Sequence, residues 1–278
     1  MCKRNKVCIY MFIVVMVLQI IIPALSVILE TSYTLISEAD VITEWDIGAS
    51  GSNITAKLYD SGTLYIEGEG AIKDDTEWKF RTTDVRDWIT TVQIKGNITT
   101  IGKMAFFGFR NLEACIDFDK SVKVVKNQAF GKCPKLERAD FPNLKIAEKY
   151  AFSDCERLTI AIPYDIERIE NGAFKFVNKV KGNVKKSGIT GSGEHLVLSN
   201  TLSYLGDEAF KYVKNLSGVY ITQADFTHNK LASIFPKDTN LYIRQDSCFK
   251  SATKYKRHYA KNSKQTGNPK QFMRLETN

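Results

Sequence analysis

One apolar phrase recurs five times along the chain, with polar residues between its fixed apolar positions. Each copy runs from an apolar residue to an Ala-Phe pair, and a further apolar residue follows six places after the Phe. The five copies are Ile101–Phe106, Val125–Phe130, Ala147–Phe152, Ile169–Phe174 and Leu205–Phe210. Their Phe residues lie 24, 22, 22 and 36 positions apart. A period in the low twenties is typical of a stacked solenoid, in which each unit buries its apolar side against its neighbours.

After each phrase the spacing changes to the two-residue alternation of a strand with one buried face. The alternating segments are 89–94, 136–142, 158–163 and 216–221. We therefore predict that each unit contains a short strand, a turn often marked by Pro, and a compact segment of helical spacing that carries Ala-Phe. The Phe should fill the space between layers, and the Ala should allow neighbouring backbones to come close.

The region before the repeats has the pattern of a terminal cap. A solenoid exposes an apolar layer and unpaired strand edges at each end, so it needs terminal units with a polar outer side. Residues 53–70 alternate as a half-buried hairpin should, with a turn at Asp60–Gly62. Trp45, Trp78 and Trp88 all fall in or beside this hairpin. We interpret them as packing that seals the first layer, in preference to a ligand platform.

The repeated phrase Ile-Gly-x-x-Ala-Phe-x-x-Cys-x-x-Leu, with strands that end in Ile-Pro or Phe-Pro, resembles the BspA-type leucine-rich repeat family of bacterial and some protist surfaces. The resemblance covers roughly residues 89–249, and residues 235–243 and 249–259 resemble the strand and helix that close such arrays. It implies a leucine-rich repeat solenoid of mixed β structure with short helical segments, an N-terminal β-hairpin cap and a C-terminal strand/helix cap. It also implies a secreted or surface binding protein and no catalytic residue.

These patterns divide the chain into five segments. They are a signal peptide over 1–26, an N-terminal β cap over 27–88, BspA-type repeats over 89–226, a C-terminal cap over 227–260 and a basic flexible tail over 261–278. A loop insertion at about 178–197 makes the interval between the last two phrases 14 residues longer than the 22-residue period. Its Gly and Ser favour a flexible loop, although insertions in solenoids also carry binding.

The first 26 residues have the features of a secretory signal. Lys3, Arg4 and Lys6 precede an apolar run from Val7 to Leu25, and small residues follow at a spacing suited to cleavage. We predict a secreted or cell-surface protein with no transmembrane span after cleavage. Because the run is close to the length that spans a bilayer, the alternative is an uncleaved signal anchor that tethers the protein to the membrane.

Charge is concentrated at the C-terminus of a chain whose net charge is +8. From Lys250 to the end there are eight basic residues and one acid, Glu276. Such an arm favours attraction to a polyanion, and an anionic cell-wall polymer, anionic lipid or host glycosaminoglycan is expected before nucleic acid. A solvated terminus that only aids solubility is the alternative. The predicted polyanion-binding residues are Lys254, Lys256, Arg257, Lys261, Lys264, Lys270 and Arg274.

Residues suited to catalysis or metal binding are nearly absent. His195, His228 and His258 are far apart and lie in no metal or nucleophile motif, and no paired Cys/His spacing is present. We therefore predict no catalytic residue, no metal site and no cofactor. Cys133 and Cys155 each follow a repeat Phe by three places. Small core side chains explain this slot most simply, although a disulfide between adjacent layers is geometrically possible in an oxidising compartment.

Together these features predict a binding protein that acts in adhesion or cell interaction, with a protein or glycan ligand on a host or neighbouring cell. The alternative is a structural component of the cell envelope, held by the basic C-terminal arm. A secreted hydrolase is disfavoured because no pair of carboxylates and no nucleophile constellation is visible. The predicted contact residues are the exposed strand positions between the buried ones, namely Thr91, Gln93, Arg138, Asp140, Thr159 and Tyr220.

Overall fold

The computed structural model describes residues 40–183, 195–216, 218–222, 231–236, 239–244, 255–259 and 272–277. The predicted signal peptide lies outside these ranges, as do the central part of the predicted insertion and four of the predicted polyanion-binding lysines, Lys254, Lys261, Lys264 and Lys270.

The N-terminal region is a small antiparallel sheet followed by a short ribbon and one turn of 3₁₀ helix at Arg86–Trp88. Its strands are β1 (Val41–Asp46), β2 (Asn53–Tyr59), β3 (Thr63–Ala71), β4 (Lys79–Phe80) and β5 (Thr83–Asp84). β2 lies between β1 and β3, and the β2–β3 connection crosses the predicted turn, where Gly62 has the positive φ of 80° that glycine adopts without strain. Trp88 is 46% exposed, so its predicted packing role is wrong: it lies on the 3₁₀ turn, outside the core.

The repeats form parallel strands stacked layer on layer, as the period predicts. Their strands are β6 (Thr91–Ile101), β7 (Ala114–Asp117), β8 (Val124–Val125), β9 (Arg138–Asp140), β10 (Ile146–Ala147), β11 (Thr159–Ala161), β12 (Arg168–Ile169), β13 (Lys179–Lys181), β14 (Leu196–Leu198), β15 (Tyr204–Leu205) and β16 (Gly218–Ile221).

Two ladders diverge from the long strand β6. The start of β6 pairs with β7, and the order continues through β9 and β11 to β13; we call this the first ladder. The end of β6 pairs with β8, and the order continues through β10 and β12 to β15; we call this the second ladder. Sequence alternation predicts three strands of the first ladder, at 89–94, 136–142 and 158–163, whereas the second ladder is a finding of the structure. Each layer therefore has two sides made of strand.

The third side of each layer is the Ala-Phe turn, which is hydrogen-bonded in an alternating pattern. The Phe107 N–H donates within its own turn to the Met104 carbonyl (3.1 Å), whereas the Phe106 N–H donates to the Ala129 carbonyl of the next layer (2.8 Å). The residue before each Ala has a left-handed φ of 53° to 64°. This conformation ends any helix, so the predicted compact segments are turns. Four of these five positions are not glycine: Met104, Gln128, Tyr150 and Glu208.

A continuous stack of aromatic rings fills the core along the solenoid. All five repeat Phe side chains are fully buried, which confirms the core prediction. Neighbouring rings lie 5.1–5.6 Å apart between centroids, with interplanar angles of 3° to 19°. Trp78 begins the stack and Phe235 ends it. In order, the stack is Trp78, Phe106, Phe130, Phe152, Phe174, Phe210 and Phe235.

The C-terminal region continues the layers and then reverses strand direction. Its elements are α1 (Leu231–Ile234), β17 (Asn240–Arg244), β18 (Tyr255–Tyr259) and β19 (Phe272–Thr277). β17 pairs in parallel with β16, and β19 pairs antiparallel with both β17 and β18. The predicted helix over 249–259 and flexible tail over 261–278 are therefore wrong where these strands lie. The backbone groups on the open edge of β17 pair with β19, which explains why a strand forms there.

Candidate binding face

The outward side of the first ladder and of β3, which pairs with β6, is made of residues in register, and we call it the strand face. Its first column is built from Thr63, Thr91, Ala114, Arg138, Thr159 and Lys179. Its second column includes Tyr65, Gln93, Ile116 and Asp140. Five of the six predicted contact residues, Thr91, Gln93, Arg138, Asp140 and Thr159, thus share this face. Alternation explains the arrangement, because the residue between two outward ones is buried in every strand.

Tyr220 does not belong to the strand face, and its predicted exposure is wrong. The side chain is 1% exposed and packs against Val197 in a small cluster outside the main core. Its ring stacks on Tyr242 with centroids 4.5 Å apart, and His195 meets it edge-on at 5.7 Å. Burial, with a smaller contribution from Tyr242, raises the pKa of the Tyr220 hydroxyl to about 12. The alternation places Tyr220 on the outer side, but these neighbours bury it there.

An exposed aromatic residue that sequence reasoning missed lies at one edge of the strand face, just beyond the carboxyl end of β7. Phe118 follows β7 directly and is 53% exposed. Ile116 lies two positions earlier on the same strand and is half-buried. The Phe118 N–H donates to the carbonyl of Ile94 (3.0 Å), so the backbone that carries the ring is part of the sheet hydrogen bonding. The Ile116-x-Phe118 spacing, with two apolar residues on one side of an extended segment, is the signal that could have identified it.

Two aspartates on either side of Phe118 anchor its backbone. Asp117 is 4% exposed, and its Oδ2 accepts a hydrogen bond from the Val122 N–H (2.9 Å). The Oδ2 of Asp119 accepts one from the Gly96 N–H (2.6 Å). Burial raises the pKa of the Asp117 carboxyl above its ordinary value, against the backbone donors that lower it. Because both neighbours are anchored, Phe118 presents its ring from a rigid support.

Charged side chains lie on the strands on both sides of β7. Arg138 and Asp140 form an ion pair along the outer side of β9, and the Asp140 carboxylate raises the pKa of the Arg138 guanidinium. On the β6 side, Glu67 and Lys95 lie in register next to Tyr65. Burial raises the pKa of the Tyr65 hydroxyl, with Lys95 opposing and Glu67 reinforcing the shift. Exposed apolar side chains next to charged and polar ones are common in protein-binding surfaces.

The cysteines that follow a repeat Phe by three places, Cys133 and Cys155, are free thiols in this structure. The Cys133 thiol donates to the carbonyl of Phe106 (3.2 Å), and the Cys155 thiol donates to that of Phe130 (3.0 Å). Both are fully buried, and burial raises the pKa of Cys155 well above its usual range. Each thiol therefore bonds to a backbone carbonyl of the preceding layer, as a small core side chain would. In the part of the chain that the structure describes, no cluster of three or more His, Cys, Asp or Glu side chains could hold a metal ion.

The chain resembles known proteins through its repeats. A model of the BspA type leucine-rich repeat region matches residues 86–192 and 188–274, with six copies. A search of curated proteins found no significant match. No helix among the described residues is both long and apolar enough to cross a membrane.

Three solved structures show distant similarity. A leucine-rich repeat protein from Eubacterium ventriosum is 18% identical, with 72% of this chain and 68% of that chain covered and a TM-score of 0.37. One from Bacteroides ovatus is 18% identical, with 64% and 42% covered and a TM-score of 0.45. The leucine-rich repeat protein of T. pallidum is 20% identical, with 57% and 74% covered and a TM-score of 0.38. This chain thus spans less than half the length of the B. ovatus protein.

Proposed function

The chain belongs to the BspA-type leucine-rich repeat family, and on that premise we propose that it is an exported protein that binds a protein on a host or neighbouring cell through its strand face. The family match covers more than half of the chain and confirms the resemblance seen in the repeated phrase. Adhesion to that cell is the proposed consequence of binding.

The observation that carries the proposal is the exposed ring of Phe118, which follows the outward residue Ile116 on the strand face. Energetically dominant contacts in protein interfaces are commonly aromatic or arginine side chains near the centre, within a polar surround. Phe118 is such an aromatic side chain, and Arg138 lies on β9, the strand next to β7. Thr91, Gln93 and Thr159 supply polar side chains elsewhere on the same face, which contribute shape and hydrogen bonds more than affinity.

The test begins with an array of immobilised extracellular proteins, glycans and wall polymers, probed with the full chain at two salt concentrations. For any protein that binds, Phe118→Ala should weaken the affinity by at least about tenfold, as loss of a dominant aromatic contact does. Tyr204→Ala is the matched control, because Tyr204 is 40% exposed but lies on the second ladder. An equal loss of affinity for both variants, or no loss for either variant, would contradict a role for the strand face.

Export through the first 26 residues is the second part of the proposal. Its support is the sequence of that segment, with Lys3, Arg4 and Lys6 ahead of the apolar run. N-terminal sequencing of exported material should begin near Val27. Recovery of a chain that retains Met1 in the membrane fraction would favour the signal anchor instead.

Electrostatic attachment to an envelope polymer is the alternative function, supported by the basic C-terminal segment. β18 and β19 place its residues in one antiparallel pair, with Lys256 opposite Glu276 and His258 opposite Arg274. Binding by this segment should weaken steeply as salt rises through the physiological range, where the Debye length is about 8 Å. The double substitution Lys256→Gln with Arg257→Gln tests this electrostatic attachment, because it removes two positive charges but keeps the strand. Polymer binding that resists salt and these substitutions would contradict it.

A further inference from the structure

A groove runs along the outer side of the Ala-Phe turns, on a different side of each layer from the strand face. It has a volume of about 260 Å³ and is lined by residues of four successive layers. Phe107 lies at one end, Tyr150 in the middle and Phe176 at the other end. None of these residues takes part in the strand face, and the repeat does not require an aromatic residue at any of their positions.

Glycines in the next layer make room for two of the aromatic rings. A Cβ at Gly131 would lie 3.1 Å from Cδ2 of Phe107, and a Cβ at Gly172 would lie 2.3 Å from Cε1 of Tyr150. Each ring therefore lies against glycine backbone, and its orientation is restricted. The ring of Phe176 stacks on Tyr212 with centroids 4.6 Å apart. The result is a row of oriented rings along the turns.

A lysine lies over each of these three rings. Lys132 lies 5.7 Å from the centroid of Phe107, and Lys149 lies 5.5 Å from that of Tyr150. Lys175 lies 5.5 Å from the centroid of Phe176. Each distance is within the range of a cation–π contact, which holds the ammonium group beside the ring.

Ion pairing leaves part of this positive charge available. Lys175 pairs with Glu208 (2.7 Å), which also accepts from Lys211. Lys132 and Lys149 form no ion pair within the part of the chain that the structure describes, and both are exposed. The groove also contains the Asp154 carboxylate, which accepts from the Ser153 hydroxyl. The side chains that line the groove include two lysines, Lys132 and Lys175, and one carboxylate, Asp154, so the lining carries a net positive charge.

We propose that this groove is a second binding site, for an acidic polysaccharide chain. Sugar rings have apolar C–H faces that pack on flat aromatic rings, while their carboxylate or sulfate groups would contact Lys132 and Lys149. The layers repeat every 5 Å or so, so the groove offers similar contacts at regular intervals to a polymer that is itself periodic. An acidic peptide would use the lysines but has no need of a row of oriented rings.

The first experiment separates this groove from general positive charge. Lys132→Glu with Lys149→Glu reverses two groove charges in the full chain. Lys95→Glu with Lys123→Glu makes the same change in net charge at exposed positions that do not line the groove. Binding of polygalacturonate and heparin at low salt should fall by about tenfold or more for the groove variant and little for the control. Equal effects of the two variants would overturn the proposal.

The second experiment tests the rings and the class of ligand. Phe107→Leu keeps an apolar side chain over Gly131 but removes the flat aromatic face. Its affinity for polygalacturonate should fall severalfold, whereas that for poly-glutamate should not change. If poly-glutamate binds the unaltered protein as tightly as polygalacturonate, and Phe107→Leu affects neither, the groove recognises an acidic peptide and the proposal is wrong.

Discussion

The ring stack and the strand face belong to the same layers, but the stack repeats one residue type from layer to layer, whereas the strand face changes its residues. In the stack, every repeat contributes Phe, and the distance between neighbouring centroids varies by only 0.5 Å, from 5.1 to 5.6 Å, over the whole series. On the strand face, the first column changes from Thr to Ala to Arg to Thr to Lys over five strands. The core must repeat because each ring packs between two copies of itself, whereas an outward side chain meets mainly solvent. The difference shows that stability and recognition depend on different sets of residues.

Removal of a ring from the stack should have the largest effect on stability. Phe130→Ala or Phe152→Ala should lower the free energy of unfolding by roughly 3–5 kcal/mol, because the side chain is fully buried between two other rings. Denaturant unfolding would measure this. Thr159→Ala, on the outer side of β11, is the control and should change stability by less than about 0.5 kcal/mol. Similar losses for the Phe and Thr variants would remove the distinction between the two regions.

A change in the turn backbone should have the next largest effect. Gly172→Ala should lower the free energy of unfolding by roughly 1–3 kcal/mol, because φ is 64° and the new Cβ would clash with the Tyr150 ring. The matched change is Gln128→Gly, at the same position two layers earlier, where φ is 54°. Glycine relieves the left-handed conformation there, so this variant should gain about 0.5–1 kcal/mol or remain unchanged. A loss for Gln128→Gly as large as that for Gly172→Ala would contradict the role of φ.

Asp117 is a buried residue at the end of β7. The effect of its replacement on the free energy of unfolding should depend on pH. Burial raises the pKa of this carboxyl in the folded protein, so ionisation at neutral pH favours the unfolded state. Asp117→Asn should therefore increase stability at pH 7 by no more than about 1 kcal/mol. The advantage should shrink as pH falls through the raised pKa towards the ordinary Asp value. Unfolding at pH 7 and pH 4 measures both points, and a pH-independent difference would contradict this.

The smallest effect on stability should come from the strand face itself. Arg138→Ala removes an exposed side chain and its ion pair with Asp140, and such pairs contribute about 1 kcal/mol or less. The free energy of unfolding should stay within about 0.5 kcal/mol, while affinity for a protein ligand of the strand face should fall. A stability loss comparable to that of Phe152→Ala would mean that the outer side also supports the fold.

The prediction of the fold relied on residues that repeat from layer to layer, and the errors in that prediction came from residues that do not repeat. The spacing of Phe and the following Leu predicts the layers, and the alternation after it predicts three strands of the first ladder. The second ladder escaped prediction because β8 and the strands stacked on it are two residues long, too short to show alternation. Phe235 escaped it because Ile234 stands where the other phrases have Ala. Strand β19 depends on pairing with β17, which local sequence does not specify.

The candidate site could be predicted in outline only. Period-two alternation places Thr91, Gln93, Arg138, Asp140 and Thr159 on one side of a strand, and the structure has them in two adjacent columns. The same rule failed for Tyr220, because exposure depends on neighbours such as Tyr242 from a later layer. Phe118 was missed because residues 112–118 are not among the predicted alternating segments, and its importance depends on exposure that only the packed structure shows.

The even spacing of the rings also has a consequence for protein engineering. Phe174 and Phe210 are 36 residues apart in sequence, yet their centroids are 5.4 Å apart, the same distance as between Phe152 and Phe174, which are 22 apart. The Phe174 N–H also bonds to the Ala209 carbonyl at 2.8 Å, as the Phe152 N–H does to Ala173. The interval between Asn183 and His195 is therefore a natural point for grafting, where a foreign epitope or a tag could be spliced in without a change to the layers on either side.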